Sequence, residues 1–303
     1  MPQLTRRRFL VISAALPGLA ALPARASTLY RWRGLALGAE AEIYLDHPDA
    51  AEISSRAAAE IARLEAIFSL FRADSALSQL NAAGRLDAPP FELLECLALS
   101  GRVHAATGGL FDPTVQPLWA LYASRYSAGT TPAPDDLART LAHVGWDGVS
   151  MDETAIRLRP GMALTLNGVA QGFIADRITA LLRAEGLTDV LVNTGEFRAL
   201  GGMPDGSPWP VHLTAGGEIG LRDGALASSA ALGTTFDQSG TVGHILNPKT
   251  GLSAAARWRL VSIGANSAAE ADALSTAACL MQDRTSIEAA LKTFPTARLA
   301  ALT

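Results

Sequence analysis

Lysine is almost missing from these 303 residues: Lys249 and Lys292 are the only two, so chemistry built on a lysine amine has few places to reside. Cysteine is equally scarce. Cys96 and Cys279 make neither a disulfide framework nor a zinc-ligand spacing, and each sits in an apolar, helix-like stretch, which predicts two buried free thiols. The chain has no Gly-x-x-x-x-Gly-Lys loop, no Gly-x-Gly-x-x-Gly after a strand, no His-Glu-x-x-His and no Gly-x-Ser-x-Gly. The commonest phosphate-loop, dinucleotide, zinc-peptidase and hydrolase signatures are therefore excluded. Internal repeats, low-complexity tracts and long charge runs are also missing, which argues against domains strung on linkers.

The apolar run from Val11 to Leu22 is too short to span a bilayer. It follows Thr5-Arg6-Arg7-Arg8-Phe9-Leu10 and precedes Ala24-Arg25-Ala26, a small-residue cleavage site. Residues 1–26 thus read as a cleaved signal peptide of twin-arginine type, with export to the periplasm as a soluble protein. Its removal takes away four arginines and no acids, so the formal charge moves from −4 to −8. A chain of that sign is a poor partner for nucleic acid. Residues 27–303 are expected to form one domain.

Strand-like and helix-like segments interleave through that domain. Leu35 to Leu45 alternates around a glycine, as a hairpin does. Asp49 is positioned to cap a helix whose Ile53, Ala57, Ile61, Leu64 and Phe68 make one apolar stripe. Pro90 opens a second helix that ends near Thr107, before Gly108-Gly109. A short helix closes at Gly145, and Trp146 to Leu166 reads as short strands with turns at Asp152-Glu153 and Pro160-Gly161. Gly172 to Ala184 is helical, Asp189 to Asn193 is a buried strand, and Arg259 to Ala265 is another. Ser267 with Glu270, and Thr285 with Glu288, are capping-box signatures for two closing helices. This order predicts a mixed α/β (α+β) domain with largely antiparallel sheets and packed helices.

Asp272 and Thr276 are one helical turn apart and project from one face. A carboxylate and a hydroxyl so placed can hold magnesium together with ligand phosphates. Spacing alone favours the alternative, in which Asp272 bonds backbone and Thr276 packs in the core. His244, on a short strand before Asn247-Pro248-Lys249-Thr250-Gly251, is either a base for an alcohol or an ordinary strand histidine bonded to a carbonyl. Thr165 to Phe173 reads as a strand passing through Gly168 into a helix, either a seat for a diphosphate or a tight turn. Asn193-Thr194-Gly195-Glu196, at the end of a buried strand, reads equally well as a loop approaching a ligand or a plain turn.

Taken in order, these segments resemble the ApbE family of FAD:protein FMN transferases. The resemblance runs through Phe68 to Arg72, Ser75 to Asn81, Gly109 to Val115 with its Phe-Asp-Pro-Thr, Asn167 to Asp176, Gly195-Glu196, Ala227-Ser228-Ser229, His244 to Gly251, and Ala271 to Thr276. It implies an ApbE-like fold with a flavin site in a central cleft, FAD as donor, and Mg2+ held by Asp272, Thr276 and the Ala170 carbonyl. It also makes His244 and Asp272 catalytic. Phe71, Asn81, Gly168, Ala170, Gln171, Asp176, Gly195, Glu196, Ser228, Ser229 and His244 become contacts to the dinucleotide, with Asp176 at the adenine end and Phe71 against a ring. The implied partner is a client flavoprotein with an acceptor Ser or Thr, such as a membrane redox subunit. Departures from the family pattern are Gln171 for a lysine, Asn167 for a glycine, Ser228-Ser229-Ala230 for Thr-Ser-Gly and Asn247 for an acid. These, with Gly195 to Gly201, resemble the NosX branch, which implies a NosR-like client and a role in nitrous oxide reductase maturation.

Overall fold

The computed structural model describes residues 29–303. The signal-peptide segment, residues 1–26, lies outside the described residues.

The chain enters as the expected hairpin, β1 (Tyr30–Ala36) and β2 (Ala39–Leu45), and continues into α1 (Ala50–Phe68). All five residues of the anticipated α1 stripe are buried, although Asp49 precedes the helix without a side-chain capping bond. Two helices the pattern did not announce follow: α2 (Ala76–Ala83) and, after β3 (Arg85–Asp87) and α3 (Phe91–Ala106), α4 (Gln116–Ser127). Next come α5 (Pro134–Leu141), β4 (Val149–Met151) and β5 (Ala155–Leu158). The run into α6 (Ala170–Ala184) is not a strand, contrary to expectation; Thr165 N–H donates to the Pro113 carbonyl (2.8 Å) instead of to a sheet neighbour. The rest is β6 (Val190–Asn193), β7 (Phe197–Leu200), β8 (Trp209–His212), β9 (Glu218–Leu221), β10 (Ala225–Ser229), β11 (Val261–Ala265), α7 (Ala268–Ala278), α8 (Arg284–Leu291) and β12 (Arg298–Leu302). Asp283, not Thr285, caps α8, by accepting from Ser286 N–H.

Seven strands form the main sheet in the order β1-β2-β6-β7-β10-β11-β12, and every neighbouring pair is antiparallel. Both faces are covered, which is why its inner strands read as continuous Val and Leu runs. Ile43, Val190, Val192, Ala227, Val261 and Ile263 point into the large core with α1, α6 and α7. Tyr44, Leu191, Phe197 and Leu226 point the other way, onto Trp209 and Val211 of the β8–β9 hairpin. Among the described residues no helix is long and apolar enough to cross a membrane. Cys96 and Cys279 are both buried and unpaired, as expected.

Helices α6 and α7 approach closely where Gly172 sits. A Cβ there would lie 2.3 Å from the Ala268 carbonyl oxygen, a backbone atom that cannot step aside. Gly172→Ala should therefore lower stability by about 1–3 kcal/mol, the usual range for overpacking. Thermal unfolding checks this, and an unchanged midpoint would show that the two helices can separate freely.

Candidate active site

Two helix ends meet over the middle strands of the main sheet, α6 against β6 and β7 and α7 against β10 and β11. The carboxylate of Asp176, in α6, accepts from Ser267 Oγ (2.7 Å), Ala268 N–H (2.9 Å) and Ala269 N–H (3.1 Å), so it caps the N-terminus of α7 from a neighbouring helix. Arg198 Nε stands 3.2 Å from the same carboxylate. One turn further on, Gly172 N–H donates to Asp272 Oδ2 (3.2 Å). A Cβ on Gly168 would come within 3.0 Å of Thr276 Oγ1. The junction near Ala170 and the face of α7 bearing Asp272 and Thr276 are therefore in contact.

Beside this contact lies a cleft with about 950 Å³ of empty space, counted to its open mouth. Gly168, Gln171, Glu196, Ser229, His244, Asp272 and Thr276, all named from the sequence, line it. The remaining candidates do not. Asp176 caps α7 and lies outside the lining. Asn81 holds both backbone groups of Leu164, accepting from its N–H (2.7 Å) and donating to its carbonyl (2.8 Å), and so fixes the run into α6 from outside the cleft. Ser228 shares a hydroxyl bond with Ser262 (2.8 Å), and its N–H donates to Glu196 Oε2 (3.1 Å). Ala170 is buried within the first turn of α6 and is not part of the lining. Phe71 is 51% exposed, outside the lining. Gly195 shapes the lining from beneath: its φ is +105° and a Cβ would meet Gln171 Nε2 at 2.7 Å, so only glycine lets Gln171 lie there.

The sequence reading left Asp112, Thr165 and Trp119 unassigned, yet all three line the cleft. Asp112 had a signal in the Phe-Asp-Pro-Thr segment. Its Oδ1 accepts from Thr114 N–H (2.9 Å) and Thr114 Oγ1 (2.6 Å), which fixes this wall.

The electrostatics centre on two carboxylates. Asp272 and Glu196 are 3% and 4% exposed, and among the described residues neither has a cationic partner. Burial pushes the Asp272 carboxyl up to about 7, against the opposing Gly172 N–H. Glu196 is raised well above the carboxylate range, first by burial and then by the negative charge of Asp272, while the Ser228 N–H opposes the shift. A buried like-charged pair is costly unless a proton or cation sits between its members. Thr276 and Ser229 hydroxyls lie alongside, 3.4 Å apart. Oxygen donors of this kind suit Mg2+. Among the described residues no group of three or more His, Cys, Asp or Glu gathers, so an ion here would draw its other ligands from hydroxyls, water or substrate oxygens.

This pair predicts an inverted pH dependence of stability. The folded protein holds protons that the unfolded chain releases near pH 4, so stability is highest at the acid end of the window and falls as pH rises from about 4 to about 7. Melting curves of cation-free protein across that range should show the fall, and millimolar Mg2+ should remove most of it by replacing the proton. Asp272→Asn, with one ionisable member gone, should show a shallower fall than wild type.

His244 lines the same cleft. Its Nδ1 lies 3.0 Å from the Thr234 carbonyl oxygen. A carbonyl can only accept, so Nδ1 carries the hydrogen and Nε2 keeps its lone pair. Burial holds the imidazole below its ordinary pKa, against the opposing carbonyl bond, so it is neutral at pH 7.

The ApbE family model matches residues 37–299. This chain belongs to the ApbE family. An FAD:protein FMN transferase of Treponema pallidum is 31% identical over 284 residues, covering 80% of this chain and 77% of that one. One from Haemophilus influenzae is 28% identical over 275 residues, covering 82% and 79%. The solved ApbE protein of Thermotoga maritima superimposes with a TM-score of 0.78 at 25% identity, over 86% of this chain and 89% of that one. The flavin transferase ApbE of Vibrio cholerae gives 0.76 at 22% identity, over 87% and 90%, which speaks for the shared ApbE fold.

Proposed function

We propose that this ApbE-family chain transfers FMN from FAD to a Ser or Thr hydroxyl of a client flavoprotein, with Mg2+ in the cleft and AMP as the leaving group. The observation that carries the reading is the single cleft faced by the buried Asp272–Glu196 pair and by the unprotonated Nε2 of His244. The names of the relatives agree with it. Asp272 and Thr276 would hold the ion, with Glu196 beside them. Bound Mg2+ supplies positive charge to the diphosphate, which this lysine-poor cleft lacks.

His244 Nε2 takes the proton of the client hydroxyl. The hydroxyl oxygen forms a bond to the phosphorus on the FMN side, the bond from that phosphorus to the bridging oxygen breaks, and the electron pair leaves with AMP. Gln171 and the wall around Gly168 position the diphosphate, and Phe111, Leu246 and Leu280 limit water at the reacting atoms. Such a reaction asks for positioning and charge neutralisation more than covalent work. Export by the twin-arginine route, action in the periplasm and a NosR-like client of the NosX branch complete the proposal, supported by Arg6-Arg7 and by the departures at Asn167, Gln171 and Asn247.

The test combines the mature chain, FAD and Mg2+ with flavin-free fragments of exported flavoproteins. A fluorescent band that survives denaturation, with a mass gain of one FMN on a Ser or Thr, is the expected result. FAD binding with no product would make the chain an assembly factor, a reading that Gln171 in place of lysine favours. FMN and AMP released equally well without client would make it an FAD pyrophosphatase.

A further inference from the structure

The cleft is not the only space that reaches His244. A second cavity, about 1480 Å³ counted to its mouth, adjoins the first, and Trp119 and His244 line both. Its one wall is a two-stranded ribbon in which Phe236 N–H donates to the Val242 carbonyl (2.9 Å) and His244 N–H to the Thr234 carbonyl (3.0 Å). The ribbon's tip is tied by Asp237, whose carboxylate accepts from Thr241 N–H (3.0 Å), Val242 N–H (2.8 Å) and the hydroxyls of Ser239 and Thr241. The facing wall is the end of α4 with Tyr126 and the turn at Gly129 to Thr131. Phe236 joins the two walls by packing on Trp119, Tyr122 and Tyr126, with ring centroids 5.4, 5.3 and 6.2 Å away.

Nothing in the cleft chemistry uses this second space. Among the described residues its lining contains no Lys or Arg, and the one charged side chain there, Asp237, is already saturated by its own loop. What it offers is the Thr131 hydroxyl, ribbon backbone and aromatic surface beside His244, while the Thr130 and Thr235 hydroxyls donate to the Arg125 and Asp237 carbonyls. We propose that this cavity is the acceptor channel: it takes an extended, uncharged segment of the client polypeptide and delivers its Ser or Thr hydroxyl to His244 while the dinucleotide occupies the adjoining cleft. The inference rests on the transferase reading. Two compartments that share one base can hold both substrates of a transfer reaction at once. A recognition surface without charge also separates this channel from electrostatic docking, so client turnover should vary little between 50 and 300 mM salt.

The test uses whichever client fragment the wild-type chain flavinylates. Thr131 and Gln238 are exposed, so Thr131→Trp and Gln238→Trp can fill the channel mouth without disturbing the core. Each should lower kcat/KM for the fragment at least ten-fold, chiefly through KM, while FAD affinity measured by fluorescence quenching stays at the wild-type value. As an independent readout, Thr131→Cys carrying a maleimide photocrosslinker should link to the fragment within a few residues of its acceptor, since both native cysteines are buried. Full turnover by both filled variants, or crosslinks confined to a remote part of the client, would overturn the channel. A wild-type chain that binds FAD but flavinylates no fragment would instead remove the transferase reading, and the channel with it.

Discussion

Asp272→Asn is expected to lower FMN transfer by about 10³-fold, and to raise the melting temperature of the cation-free protein at pH 8. The two effects share one cause. Asparagine keeps the shape and an acceptor for Gly172 N–H, so the α6–α7 contact survives. What it removes is one of two buried negative charges, and with it the repulsion that lifts Glu196. Relief of an uncompensated buried charge stabilises a fold by a few kcal/mol. The same charge is what an ion bound against a diphosphate requires, and loss of preorganised electrostatic stabilisation of that kind costs about two to three orders of magnitude in rate. Mn2+ can stand in for Mg2+ as a paramagnetic probe. Its binding, followed by electron paramagnetic resonance, should be at least ten-fold weaker in Asp272→Asn and measurably weaker in Glu196→Gln. An asparagine variant that binds Mn2+ as wild type does would place the ion elsewhere and sink the assignment.

The sequence made the helical stripe of α1 and the cap at Ser267 legible because both are local: their partners lie within a turn or two of chain. The pair Asp272–Thr276 was visible for the same reason, as a spacing on one helix. Its meaning was not visible. Spacing alone leaned toward a backbone-bonded aspartate, and Asp272 does accept from Gly172 N–H, but from a helix one hundred residues earlier and at the edge of a cleft. Glu196 reaches Asp272 only because the turn between β6 and β7 folds back under α6, where Thr194 Oγ1 donates to the Gln171 carbonyl (2.8 Å). Asp176 is a further case. Family resemblance pointed it at a ligand, and its capping partners Ser267, Ala268 and Ala269 lie more than ninety residues onward. Helix α4 escaped notice because its apolar and polar residues do not sort into one stripe; Leu118 and Tyr122 pack on Leu246, and Trp119 and Tyr126 pack around Phe236. Pairings such as β2 with β6 are set by a core that no short window contains.

His244→Ala should lower the rate of the chemical step by roughly 10²–10⁴-fold, the usual contribution of a positioned general base. FAD affinity should stay within about two-fold, because the His244 ring is fixed by the Thr234 carbonyl and not by a phosphate-holding group. Burial lowers the imidazole pKa, so wild-type kcat should rise with pH through a value below the ordinary histidine range and then stay flat through pH 7 to 8. In His244→Ala that acidic limb should disappear, leaving a rate that climbs with hydroxide instead. Exogenous imidazole entering the vacated space should restore part of the lost rate without changing FAD binding. The decisive contrast is between rate and affinity: a variant whose FAD affinity falls as steeply as its turnover would make His244 a cofactor contact, and the proton would need another acceptor, for which Asp112 of the same lining is a candidate.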